Sequence, residues 1–465
     1  MFKYKELINR IEEDIFPQLS PGSLLPGTPE LCRKYAVSEI TVKKALSLLA
    51  KERRVRRIPR KGTLFQPEQL PQIRHVSSRP PRTVLKLLAL NRWDTADLLE
   101  NLCREFTALY PDTEFEFHRS SASYFEEISP EGYDVILGNT WMIREYLTAP
   151  EYKNSFAPLH ELPGIFINEN IYFAEVLKWC RRNDQLYCLP LGISPVFAMF
   201  HMDYPVFRNM ALPTCQTLAD FQQLLYRLRY ERPEESKYYP FLMEMLENRW
   251  PCFIKMAGGQ LFDPVTGQCT FDHPQTITAL EMIQQLFQNH IIPGLQLSGN
   301  ISVSGLFTTG KFGCTWGTYK YLRSNIQKSI NVHYQMLPQT ETRCSHLLME
   351  GLLVNRHCGN PEMVGKLLNF LQTSDVHLKI CHHADTFSTQ QQLAEFYFAH
   401  LAVKVPSVLN VLEQVKYAEP VATAPHSKDW RIFCETMPKI WMGIDSVANV
   451  CREITETINK TLKSS

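Results

Sequence analysis

Two sets of residues in this 465-residue chain have types and spacings that could do chemistry. The first is cationic: Lys43, Lys44, Arg53, Arg54, Arg56, Arg57, Arg60 and Lys61 crowd into residues 43–61. Fixed positive charges so grouped can neutralise phosphates, a contact that gives salt-dependent affinity without sequence information. Ser38, Glu39, Thr41 and Lys43 stand at the start of that region and carry groups suited to base edges. Glu39 has two readings, acceptance from a cytosine amino group or a favourable charge at a helix N-terminus. Arg33 is a further phosphate candidate. The second set is aromatic and polar: Trp93 with Asp94, Asn139 with Trp141, Trp250, Trp316 with Tyr319, and Glu350. Flat rings suit the C–H face of a sugar, and carboxylates and amides suit its hydroxyls. Any one of these tryptophans could equally be a packing residue, as Trp179, Trp430 and Trp441 read.

The elements that must position the first set are short. Leu7, Ile8, Ile11, Ile15 and Phe16 form a helical stripe that Pro17 ends. Thr28 reads as the cap of a second helix, with Pro29 at its first turn. Ser38 caps a third, for which Ile40, Val42, Ala45, Leu46 and Leu49 read as the apolar face. Val55, Ile58, Leu64 and Phe65 then flank Pro59-Arg60-Lys61-Gly62, a hairpin signal. Three helices and a basic hairpin make a winged helix-turn-helix plan, in which the third helix enters the major groove by its N-terminal end.

Residues 66–82 contain a proline-rich, weakly apolar connector. From Val84 a β-α-β-α rhythm begins, and it predicts an α/β body. Trp93 and Asp94 follow its first strand, and Asn139 and Trp141 follow a later one. These are strand carboxyl ends, where open α/β sheets bind ligands. The expected division is 1–65 for the head, 66–82 for the linker and 83–465 for the body.

Charge follows the same division. The formal net charge is +1, yet residues 1–75 carry 15 Lys and Arg against 8 Asp and Glu, a local +7. The remaining 34 bases and 40 acids leave −6. A basic head on an acidic body suggests a nucleic-acid module joined to something else. The N-terminus lacks the apolar core of a secretory signal, and no apolar run reaches the ~18–20 residues that span a bilayer. A cytoplasmic protein without membrane contact is expected. The 13 cysteines have no CxxC pair and read as buried thiols, with a zinc site as the alternative. Nucleophile-elbow, zincin and phosphate-loop motifs are absent. His382-His383 with Asp385 reads either as metal ligands or, more simply, as a polar loop at a helix end. The expectation is a non-enzyme with no catalytic residues, no metal and no cofactor.

The first 65 residues resemble the GntR family of bacterial transcription regulators. The resemblance rests on Tyr4-Lys5-Glu6-Leu7, Pro21-Gly22-Ser23, Leu25-Pro26, Val37-Ser38, Thr41-Val42-Lys43-Lys44-Ala45-Leu46 and Lys61-Gly62-Thr63, in family order. It implies a DNA-binding surface of Arg33, Ser38, Glu39, Thr41, Lys43, Lys44, Arg57, Arg60, Lys61 and Thr63. Glu39 replaces a base usual in the family, and Arg53 and Arg60 replace two usual glycines. Residues 83–400 or so resemble the extracellular solute-binding proteins of sugar ABC transporters (family 1-like). They do so through a series of segments in order, among them REFTALYPDTEFEF, AGGQLFDPVTGQCTFDHPQTITALEMIQQL and LFTTGKFGCTWGTYKYL. That resemblance implies a two-lobed, type II periplasmic-binding-protein-like α/β domain. It also implies that the aromatic loops surround one cleft, with Trp316 foremost, then Trp93 and Trp141.

Together the resemblances imply a ligand-responsive DNA-binding transcription regulator. Its expected partners are a double-stranded DNA operator and a small-molecule effector, a sugar or oligosaccharide. A homodimer is expected from operator symmetry, with the helices of 389–462 as interface candidates. The alternatives are a peptide or polyamine effector, or a carbohydrate-binding protein with a vestigial DNA-binding head.

Overall fold

The computed structural model describes residues 7–8, 10–11, 14–19, 23–51, 55–58, 62–65, 82–90, 94–120, 129–208, 210–212, 214–231, 237–243, 249–263, 266–293, 303–339, 343–420 and 427–464. The chain divides into two compact units, Met1–Arg79 and Pro80–Ser465.

In the head, residues 7, 8, 10, 11 and 14 are helical, and Leu7, Ile11 and Ile15 are buried. Helix α1 (Thr28–Tyr35) follows. Its N-cap is Gly27 rather than the expected Thr28, which instead occupies the first turn with Pro29. Ala36 ends it in the left-handed conformation, φ 52°. Helix α2 (Glu39–Lys51) begins where the Thr41 N–H donates to Ser38 Oγ at 3.2 Å, the cap its sequence announces. Strands β1 (Val55–Ile58) and β2 (Gly62–Phe65) pair antiparallel, Val55 opposite Phe65 and Ile58 opposite Gly62. Gly62 has φ +117°, a conformation that side chains rarely adopt. The hairpin is tied down where the Leu25 N–H donates to the Thr63 carbonyl and the Phe65 N–H to the Ser23 carbonyl, both at 2.8 Å.

Val42, Ala45, Leu46 and Leu49 of α2 join the head's core, but Ile40 does not: it is 79% exposed. Two residues before Val42, Ile40 lies about 200° around the helix, opposite the buried stripe. The expected apolar face was one residue too long.

The body opens with β3 (Thr83–Leu90), α3 (Asp94–Leu109), β4 (Thr113–Ser120), β5 (Val135–Asn139) and α4 (Thr140–Thr148). β6 (Cys188–Pro195) leads into β7 (Phe197–His201). Then come α5 (Leu218–Tyr230), β8 (Tyr239–Leu242), α6 (Trp250–Met256) and α7 (Pro274–Gln288). Next are β9 (Phe312–Gly317), α8 (Tyr319–Gln327), β10 (Val332–Gln335) and β11 (Ser345–Val354). The chain continues through α9 (Pro361–Leu371), α10 (Ser374–His383), β12 (Phe387–Ser388), α11 (Gln391–Ala402) and β13 (Ala418–Glu419). It closes with α12 (Ser427–Thr436) and α13 (Val447–Ser464).

Two sheets define two lobes. The first has the strand order β12-β6-β11-β5-β3-β4, with β13 added on β11. β3 is parallel to both β4 and β5, as a β-α-β unit requires. The second has the order β8-β9-β7-β10. Local signals start the helices. Asn360 Oδ1 accepts the Met363 N–H at 2.9 Å to start α9, and Thr217 and Asp220 cap α5 reciprocally.

The chain crosses between the sheets at Val196, where β6 becomes β7, and returns between β10 and β11. These crossings brace each other. The Val196 N–H donates to Ser345 Oγ at 2.8 Å, and that hydroxyl donates to the Val196 carbonyl at 2.7 Å. β13 pairs with Ser345 and His346 at the same place. Beyond it, Trp430, Phe433, Val450 and Ile454 of the last helices pack into the second lobe's core. Ten of the 13 cysteines are buried, and all are reduced.

Candidate functional sites

Most of the described candidates of the head are exposed. Arg33, Ser38, Glu39, Lys43, Lys44 and Arg56 are exposed, and Thr41 and Thr63 are half-buried. Residues 40, 43, 44 and 47 share the α2 face opposite the core, by the i, i+3, i+4 spacing. Lys43 Nζ lies 2.6 Å from a Glu39 carboxylate oxygen, and this contact holds the Glu39 carboxyl below its ordinary value. Glu39 thus has a partner on its own helix. Ser38 Oγ and Thr41 Oγ1 are 2.8 Å apart. Arg57 stands on β1 opposite Thr63. Arg53, Arg54, Arg60 and Lys61 lie outside the described residues.

In the body, the structure separates the candidates. Trp93 lies outside the described residues, as do the segments 91–93 and 121–128 that directly follow β3 and β4, and 244–248, one residue beyond β8. Asp94 starts α3, and its side chain is likewise undescribed. Asn139 ends β5, and its Oδ1 accepts the Met142 N–H at 3.0 Å, which makes it the cap of α4. Trp141, on α4, is half-buried and packs against the second lobe's core. Its ring stacks on His346, with centroids 5.3 Å apart.

Three aromatic candidates are packing residues here. Trp316 is fully buried and stacks on Phe253 at 4.0 Å, with Phe221 and Phe241 around it. Trp250 stacks on Trp430 at 5.7 Å with nearly parallel rings, and so joins α6 to α12. Tyr319 is fully buried, and its hydroxyl donates to the Cys381 carbonyl and lies 3.1 Å from the Tyr397 hydroxyl. The ligand-binding expectation for 250, 316 and 319 meets buried rings. Each ring is covered by partners that only the folded chain supplies.

Glu350 has a polar setting. At Glu350/Gly351 the pairing of β11 with β6 shifts register, a bulge. The Thr95 hydroxyl donates to Glu350 Oε2 at 2.6 Å, and the Thr386 hydroxyl donates to the same oxygen at 2.9 Å. Thr386 can come so near because Gly192 has no side chain: a Cβ there would sit 2.0 Å from the Thr386 hydroxyl oxygen. Burial pushes the Glu350 carboxyl up to about 7; the two threonine hydroxyls and Lys320 act the other way, and Asp385 adds to the rise. The group is a carboxyl that can change protonation near neutrality.

Sequence reasoning missed two buried polar residues, Arg249 and His346. Arg249 is buried and donates from Nε to the Trp316 carbonyl at 2.8 Å. His346 is buried under Trp141, and burial and the nearby Arg249 charge bring it down to about 3, so it is neutral. A lone Arg before Trp250 and a lone His in a strand carry no motif. Asp385, beside His382 and His383, pairs with Lys320 at 2.6 Å and Arg323 at 3.3 Å. Among the described residues, no group of three His, Cys, Asp or Glu could hold a metal ion. None of the described helices is long and apolar enough to cross a membrane.

Comparisons with known proteins place both units. Residues 3–65 match the family described as bacterial regulatory proteins, gntR family. The structure resembles an ABC substrate-binding protein of Listeria monocytogenes in complex with cycloalternan, at 16% identity and TM-score 0.68, over 82% of this chain and 99% of that one. It also resembles the GacH receptor of Streptomyces glaucescens, solved unliganded and with acarbose, at 13% identity and TM-score 0.67, over 82% and 99%. A solute-binding protein of Agrobacterium vitis with bound D-mannitol matches at 14% and TM-score 0.67, over 82% and 99%. No curated protein matches the sequence. The head is therefore a GntR-family helix-turn-helix domain. The body has the two-lobed α/β fold of sugar ABC solute-binding proteins, and the chain is a fusion of the two.

Proposed function

We propose that the protein is a cytoplasmic, non-enzymatic transcription regulator whose body senses a sugar or oligosaccharide and whose head reads a double-stranded operator as a homodimer. The observation that carries this reading is the joining, in one chain, of a GntR-family head to a body with the fold of carbohydrate receptors. The solved relatives in the comparison hold cycloalternan, acarbose and D-mannitol, which suggests the effector's class. Phosphate contacts are assigned to Arg33, Lys43, Lys44, Arg57, Arg60 and Lys61, and base-edge contacts to Ser38, Glu39, Thr41 and Lys43, with Thr63 on the wing. In the body, Trp93, Asp94, Trp141 and Glu350 are the proposed effector contacts. Asn139 supports them by capping α4. Two-lobed domains with crossing segments of this kind close by hinge motion. The effector can shift DNA binding only by its differential affinity for the closed state.

A second reading, a peptide or polyamine effector, draws on the burial of Trp250, Trp316 and Tyr319, which leaves fewer ring faces for a sugar. A thermal-shift panel of sugars, peptides and polyamines separates the two, because a tight ligand raises apparent stability by mass action. The regulator reading itself is tested by operator affinity measured with and without the ligand so found. A body that binds a sugar with no effect on DNA affinity ends it.

A further inference from the structure

Ile40 is a large apolar side chain, 79% exposed, on the face of α2 that also carries Lys43 and Lys44. Among the described residues, α2 contributes Val42, Ala45, Leu46 and Leu49 to the head's core, and Ile40 is not part of it. An isoleucine among cations gains nothing from water, and its β-branch does not favour a helix. Its position is nonetheless informative. In a helix-turn-helix domain the N-terminal residues of the second helix of the motif face base edges in the major groove. Ile40 is the second residue of that helix, between Glu39 and Thr41. Almost everything the major groove offers there is a hydrogen-bond donor or acceptor; the apolar exception is the C5-methyl of thymine.

We infer that Ile40 is a specificity-determining residue that reads a thymine methyl group in each operator half-site. This rests on the DNA-reading role proposed for the head and extends it. Glu39 and Lys43, paired with each other at 2.6 Å, stand at i−1 and i+3 from Ile40 and border the site with polar groups. The apolar contact is thereby confined to one base pair. The recognition helix would thus combine a hydrophobic reading with a polar one on adjacent positions.

The test uses the full-length chain. Duplexes are selected from a random library, and each thymine of the enriched half-site is replaced singly by deoxyuridine, which removes one methyl and nothing else. At one thymine per half-site, the replacement should weaken wild-type binding about fourfold, the value of one buried methyl group. Ile40→Ala should bind the thymine and deoxyuridine duplexes equally, and Ile40→Val should retain part of the discrimination. Since Ile40 is exposed, both variants should unfold at the wild-type temperature, which calorimetry checks. The inference is overturned if no deoxyuridine replacement weakens wild-type binding, or if Ile40→Ala discriminates as wild type does. Enrichment without methyl sensitivity removes only the thymine assignment. Failure to enrich any sequence removes the DNA-reading role as well.

Discussion

The head and the body use exposed and buried side chains in opposite ways. In the head, the described candidates Arg33, Ser38, Glu39, Lys43 and Lys44 are exposed, and the described core is filled by a separate set of aliphatic and aromatic side chains. In the body, three of the expected ligand platforms, Trp250, Trp316 and Tyr319, are part of the core itself. Trp316, flanked by glycine and expected first among the ring faces, is enclosed by Phe221, Phe241 and Phe253. Residue type therefore predicts exposure well for the described charged candidates of the head. It predicts poorly where a large ring has both a packing and a recognition use.

The strongest way to break this contrast is Trp316→Ala. As a packing residue it should cost about 3–5 kcal/mol of body stability, read by calorimetry or denaturant unfolding. If stability holds while sugar binding disappears, the ring is a ligand face after all. Next is the titration of Glu350. An unfolded glutamate ionises near 4.5, whereas in the fold this one keeps its proton up to about 7. Between those values the native state binds more protons. The stabilisation is therefore complete below pH 4.5 and disappears as pH rises through 7, a fall of about 3 kcal/mol at most. Glu350→Gln should flatten that slope in unfolding measurements made from pH 4.5 to 8, and a slope equal to wild type would show that the carboxyl ionises normally.

Two smaller effects sharpen the comparison. Trp141→Ala, at the half-buried ring between the lobes, should weaken effector binding by about 1 kcal/mol, measured by isothermal titration. Unchanged affinity would leave the ring a stacking partner of His346 alone. Lys44→Ala should lower the slope of log affinity against log salt by about 0.9 for each phosphate the lysine neutralises, with the preferred sequence unchanged. A change in preferred sequence would mean that Lys44 reads a base.

Legibility tracked the distance over which structure is specified. The cap at Ser38, the buried stripe through Leu49 and the β1–β2 hairpin are relations between residues a few positions apart, and all were readable from the sequence. The overextension of that stripe to Ile40 was an error of angle, correctable by counting residues around the helix. The strand rhythm of the body was readable for the same reason. The Glu350 setting was not, because Thr95 lies 255 residues from it in the chain. Nor was the bulge that Gly192 and Gly351 accommodate.

The sequence alone determined a helix-turn-helix head and an α/β body, since composition, caps and periodicity act locally. Only the tertiary structure decided which tryptophans were enclosed and which carboxyl was held near neutrality. Trp250 finds Trp430 across 180 residues, and Tyr319 finds Cys381 and Tyr397. The reason is physical: burial, desolvation and ring stacking depend on what the rest of the chain brings alongside, and no local pattern records that.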